Sequence, residues 1–125
     1  GGGPRSLRAM VKAFRIGEKA ASAGFEWEQK EDIWDKVKEE IAEIEVEIAR
    51  KDHIRTEEEV GDLFFALINM CRLYGIDPEM ALERCNKKFI SRFQHMEAEA
   101  DGKLFSEMTA EELDTLWRNA KRDEK

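Results

Sequence analysis

Ile33, Val37, Ile41, Ile44 and Ile48 recur at steps of four, four, three and four residues, the period of a helix with one apolar face. After a short polar connector, Val60, Leu63, Phe64, Leu67, Ile68 and Cys71 form a second helical face. Two such segments so closely joined are expected to pack antiparallel. Leu7, Met10, Val11 and Phe14 show the same period, with Ser6 as N-cap, fading near Ala20-Ala21 and ended by Gly24. The central pair is expected over Lys30 to Arg50 and from Thr56 to Tyr74-Gly75. Asp77-Pro78 opens a fourth helix that gives way to a turn over Ala98 to Lys103, and Thr109-x-x-Glu112 is a capping box opening a short fifth. No stretch alternates with the period of a strand. The class is all-α, an antiparallel bundle of about five helices, with 1–5 as a linker or expression scar and 6–125 as a single domain.

At 125 residues the chain is long enough to bury a core without staples. Its net charge of -7 argues against a nucleic-acid polymer as partner, since that affinity rests on neutralising phosphates with Lys and Arg. Cys71 and Cys85 lie on apolar stripes and are expected to be buried, reduced thiols. No apolar run has the length of a membrane span and the start has no secretory pattern, so a soluble, cytoplasmic protein without membrane contact is expected. The final Arg122-Asp123-Glu124-Lys125 is expected to fray.

Chemistry concentrates between Lys36 and Asp62. Glu40 and Glu43 stand at i,i+3 on the second helix, and Glu59 and Asp62 repeat that spacing on the third, so each pair leaves one face of its helix. Glu40 flanks the apolar stripe, whereas Glu45 and Glu47 are expected on solvated faces. If the helices pack antiparallel, four carboxylates converge and their repulsion calls for a cation. A competing explanation exists for Glu59, because Thr56-x-x-Glu59 is itself a capping box.

Residue types narrow the ion. A di-iron bundle needs Glu-x-x-His, but Arg50 precedes His53 and Arg92 precedes His95 at that spacing. No EF-hand loop occurs, and Cys and His are too few for zinc. Oxygen-only ligation suits Mg²⁺, or Mn²⁺, and an ion so held usually completes its shell with water and substrate phosphates. Lys88 and Arg92, at i,i+4, offer a point charge and a fork for a polyphosphate. No activated Ser, Cys or His nucleophile is evident, which favours attack by water. Phe25 and Trp27 are expected to fill the end of the bundle, and Asn69 to be a satisfied polar group.

Together Glu39-Glu40-x-x-Glu43, Glu59-x-x-Asp62, Asn69, Gly75-Ile76-Asp77-Pro78, Asn86-Lys87-Lys88-Phe89-x-x-Arg92-Phe93 and Trp117 resemble the MazG family of nucleoside triphosphate pyrophosphohydrolases over nearly the whole chain. The acidic part alone is shared with the wider all-α pyrophosphatase group, and the segment around Lys88 and Arg92 narrows it. The resemblance implies Glu40, Glu43, Glu59 and Asp62 as metal ligands, with Glu39 assisting a ligand or activating water. It implies nucleotide contacts at Lys36, Arg55, Glu58, Lys88, Arg92 and Trp117, a homodimer or higher homo-oligomer, and Mg²⁺-dependent hydrolysis of NTPs or dNTPs to monophosphate and pyrophosphate. Longer bacterial members carry two tandem copies, of which this chain resembles the second; many relatives have Asp in place of Glu26, a change expected to be neutral. The alternatives are a catalytically silent dimerisation or regulatory module and a narrow dUTP or dCTP pyrophosphatase.

Overall fold

A computed structural model describes residues 5–124, with side chains from residue 8 onward, and shows five α-helices: α1 (Arg5–Ser22), α2 (Ile33–Ala49), α3 (His53–Leu73), α4 (Pro78–Ala100) and α5 (Ala110–Arg122). Single 3₁₀ turns precede α2 and α5, at Lys30–Asp32 and Phe105–Glu107. The described residues contain no strand, as the periodicity predicts. The capping side chain expected at Ser6 lies outside the described residues. The fold divides into two compact units, one ending at Pro78 and one beginning at Glu79.

In the first unit α3 packs against both α1 and α2, burying Ile33, Val37, Ala66, Ile68 and Cys71. Helix ends follow from glycine. Gly24 at φ 100° and Gly75 at φ 68° adopt the left-handed conformation, and the next residue's amide reaches back to the last turn, from Phe25 to the Ala20 carbonyl and from Ile76 to that of Cys71. At the end of α2 the same turn is made by Lys51 at φ 58°, where a side chain is strained. Asp52 follows at once, its carboxylate accepting from the Arg55 amide at 3.0 Å.

This corrects the start of α3. The helix begins at His53 with Asp52 as N-cap, so Thr56 is already inside it and its hydroxyl donates to the Asp52 carbonyl at 2.7 Å. The capping box expected at Thr56 does not form. Glu59 loses its purely structural explanation.

Arg72 ties α3 to the stretch that follows α1. Its guanidinium makes a bidentate pair with Glu26 at 2.7 and 2.9 Å, and Nε donates to Asn69 Oδ1 at 3.2 Å, which satisfies the amide as expected. Glu26 makes this pair at the surface, in a non-helical stretch whose residues are all exposed. Phe25 is 85% exposed and Trp27 38%, against the expectation that they fill the bundle end. Buried Gly17 of α1 permits the close approach, because a Cβ there would stand 2.4 Å from Asn69 Oδ1 and 2.9 Å from Arg72 Nε. Alanine gains about 1 kcal/mol of helix propensity, but overpacking costs about 1–3 kcal/mol and each disrupted hydrogen bond about 1 kcal/mol more. Gly17→Ala is expected to lower stability by about 1–3 kcal/mol in urea unfolding. A variant as stable as wild type would show that the Asn69–Arg72 network gives way freely.

In the second unit Met96 of α4 packs with Leu116 and Ala120 of α5, with Phe105, Met108 and Trp117 alongside. Phe93 meets Phe105 edge-on at 5.2 Å and Phe89 lies 5.7 Å from Trp117, distances at which aromatic pairs stabilise beyond their buried area. The Thr109 capping box forms as expected, with Glu112 N–H donating to Thr109 Oγ1 and Thr109 N–H to Glu112 Oε1, both at 3.1 Å. Cys71 is buried, but Cys85 is exposed, because residues 80–91 of α4 are uncovered along their length.

Candidate functional site

The seam that α2 presents to α3 is rotated from the one the isoleucines mark. Ile33, Val37, Glu40 and Glu47 are the buried residues of α2, a spacing close to the 3.5-residue repeat of packed helices. Ile41 and Ile48 are 43% and 59% exposed. Glu47, expected on a solvated face, is buried and accepts a hydrogen bond from Arg50 at 3.1 Å. Glu40 is not at the flank but inside the seam, 3% exposed. Burying a carboxylate is costly unless a partner compensates it.

The partners are other carboxylates and one lysine. Glu40, Glu43 and Glu59 bring ligand oxygens within 4.8 Å of one another. Lys36 Nζ lies 2.9 Å from Glu40 Oε1 and 3.6 Å from Glu39, and its pKa is raised, foremost by the hydrogen bond to Glu40. Glu40 Oε2 and Glu59 Oε2 are buried with no hydrogen-bond partner. Glu59 shows the cost of the crowding. Hydrogen bonding with Glu43, then burial, then Glu40 push its carboxyl up to about 7 from 4.5.

Three oxygen donors on two helices, two of them with a buried oxygen unsatisfied, fit a hard divalent cation of the Mg²⁺ or Mn²⁺ kind. Among the described residues this is where acidic side chains gather closely enough to hold one. Asp62, one turn beyond Glu59, is exposed and outside the trio. Glu39 and Glu58 are exposed. Arg55 is exposed too, its Nε 3.9 Å from Asp52. The structure thus assembles three of the four expected ligands, with Lys36 attached to them, and leaves Arg55 and Glu58 on the surface near the start of α3.

Lys88, Arg92 and Trp117 meet in the second unit. Arg92 Cζ lies 5.1 Å from the centre of the Trp117 ring, a cation–π distance. Lys88 and Arg92 line a cavity of about 350 Å³ with Ser91, His95, Ala120, Asp123 and Glu124. Ser91, His95 and the two acidic residues escaped the sequence reading. The first two were findable, because Lys88, Ser91, Arg92 and His95 share one helical face at steps of three, one and three. Asp123 and Glu124 carried no signal beyond charge at the end of a helix. Rather than fraying, Glu124 pairs with Arg92, and Asp123 Oδ2 lies 3.1 Å from His95 Nε2.

Comparison with known proteins agrees with the family the residues suggest. The family profile described as "MazG nucleotide pyrophosphohydrolase domain" matches residues 28–97. The chain is 40% identical over 115 residues to the nucleoside triphosphate pyrophosphohydrolase/pyrophosphatase MazG of Thermotoga maritima, covering 90% of this chain and 44% of that protein. It is 38% identical over 125 residues to the nucleoside triphosphate pyrophosphohydrolase of Escherichia coli K12, covering 97% of this chain and 48% of that one. A 69-residue match at 44% identity joins it to the uncharacterized protein YabN of Bacillus subtilis, over 54% of this chain and 14% of that protein. The chain spans about half the length of the first two. With its acidic trio in a helical hairpin and the profile matching over most of its length, the chain belongs to the MazG nucleotide pyrophosphohydrolase domain family.

Proposed function

We propose that this chain hydrolyses nucleoside triphosphates, NTP or dNTP, to the monophosphate and pyrophosphate with Mg²⁺, or Mn²⁺, held by Glu40, Glu43, Glu59 and Asp62. The observation that carries this is the convergence of buried Glu40 with half-buried Glu43 and Glu59, in which one buried oxygen each of Glu40 and Glu59 asks for a cation. A divalent ion bound there supplies neutralisation of the polyphosphate charge and activation of water. Glu39, exposed beside Glu40, accepts the proton of the attacking water. Lys36, already at Glu40, holds one ligand in place and offers its remaining donors to phosphate oxygens. Lys88 and Arg92 bind the nucleotide's anionic oxygens, Trp117 supplies a ring face, and Arg55 and Glu58 contact the nucleotide at the start of α3.

The exposed apolar residues Ile41 and Ile48 on α2 and Ile54 and Phe64 on α3 offer apolar surface that pairing of two copies as a homodimer would cover. No helix among the described residues is long and apolar enough to cross a membrane.

A panel of NTPs and dNTPs incubated with Mg²⁺ tests the proposal through pyrophosphate release, with light scattering giving the mass of the species. Release from several bases is expected, at twice the mass of one chain. Release from dUTP or dCTP alone would replace the broad reading with a narrow one, and no release from folded protein would sink the activity for this chain.

A further inference from the structure

Arg92 is engaged by a group of its own chain. Both carboxylate oxygens of Glu124, just past the end of α5, contact its guanidinium, at Nε and at Nη2, the latter 3.1 Å away. The Arg92 side chain is 13% exposed and that of Glu124 36%, so the contact closes over the cation. Glu124 is held in its ionised form chiefly by the hydrogen bond from Arg92, with the charges of Arg92, Lys88 and Lys121 adding to it. Beside it Asp123 meets His95. Two adjacent carboxylates therefore face Arg92 and His95 across the cavity, where Lys88 and Ser91 also stand.

A carboxylate gripping an arginine at two nitrogens uses the fork that a phosphate group uses. We propose that Glu124 is an intramolecular competitor for substrate phosphate at Arg92, so that the end of α5 must release the guanidinium before a nucleoside triphosphate engages it. The proposal rests on Arg92 as a nucleotide contact. Its cost is low and reversible, because helix ends open locally more easily than cores. Apparent affinity falls in proportion to the fraction of molecules in which Arg92 is free. A partly exposed ion pair of this kind corresponds to about a two- to fivefold effect.

Calorimetric titration of inorganic tripolyphosphate with Mg²⁺ into wild type, Glu124→Gln, Arg92→Ala and the double variant tests this directly. Glu124→Gln is expected to tighten binding about two- to fivefold, with KM for the hydrolysed nucleotide falling in parallel. Arg92→Ala should weaken binding, and adding Glu124→Gln in that background should change nothing further, because the two residues act through one contact. Unchanged or weaker binding by Glu124→Gln, with Arg92→Ala still harmful, would overturn the competition and leave Arg92 as a nucleotide contact. Wild-type binding by Arg92→Ala would remove that contact and the competition with it.

Discussion

Glu40→Gln is expected to cut pyrophosphate release by at least about a hundredfold, since loss even of a group that only supports a metal ligand costs roughly 10- to 100-fold and Glu40 is proposed as a ligand itself. Stability should not fall with activity. Glutamine keeps the volume of a side chain that is 3% exposed, so no cavity opens, and it removes one negative charge from a crowded trio. Its amide still offers an acceptor to Lys36. Circular dichroism and the urea midpoint should therefore match or exceed wild type. The decisive outcome is a split between folding and turnover, and a variant that both folds and turns over normally would withdraw the metal site. Asp62→Asn belongs in the same experiment. Loss of the same size is expected if Asp62 completes the ligand set that Glu40, Glu43 and Glu59 begin.

Without divalent cations, stability should decline as pH rises from about 4.5 towards about 7, the interval between the ordinary and the native pKa of Glu59. The sign follows from proton counting. A carboxyl whose pKa is raised on folding binds more protons in the native than in the unfolded state within that interval, so raising pH favours unfolding. A Mg²⁺ held by the trio would take over the proton's role. At pH 7.5, Mg²⁺ at about 100 times its Kd should stabilise the protein by about 2.7 kcal/mol, a rise of several degrees in Tm. Binding near pH 6 should release protons, detectable as heats that vary with buffer. A flat pH profile, or melting curves identical with Mg²⁺ and with chelator, would mean that the trio does not hold a cation.

The fold class was legible because apolar residues recur at helical spacing and because Gly24, Gly75 and the Thr109 box punctuate the chain with unambiguous chemistry. The start of α3 was not, since Asp52 and Thr56 are both good caps within one turn. Asp52 wins because Lys51 accepts a left-handed backbone normally left to glycine, and nothing in a lysine advertises that. The rotation of α2 was hidden for a related reason. Five aliphatics name one face, while the seam buries Glu40 and Glu47 between them, a choice that depends on what α3 presents. For the site, spacing placed the carboxylates in pairs, but only packing decided that Glu40, Glu43 and Glu59 converge while Asp62 stays outside. The partner of Arg92 was beyond reach, because a contact between α4 and the residues after α5 leaves no local pattern.

The three-residue connector Arg50-Lys51-Asp52 has a kinetic consequence. It places the trio within one helical hairpin, where little loop entropy must be lost to bring α2 and α3 together, and local contacts of this sort form early in folding. The carboxylates are therefore expected to meet early in folding, where their mutual repulsion would burden the structure that forms there. A cation present during refolding would relieve that burden at the nucleus, so Mg²⁺ should quicken folding more than it slows unfolding.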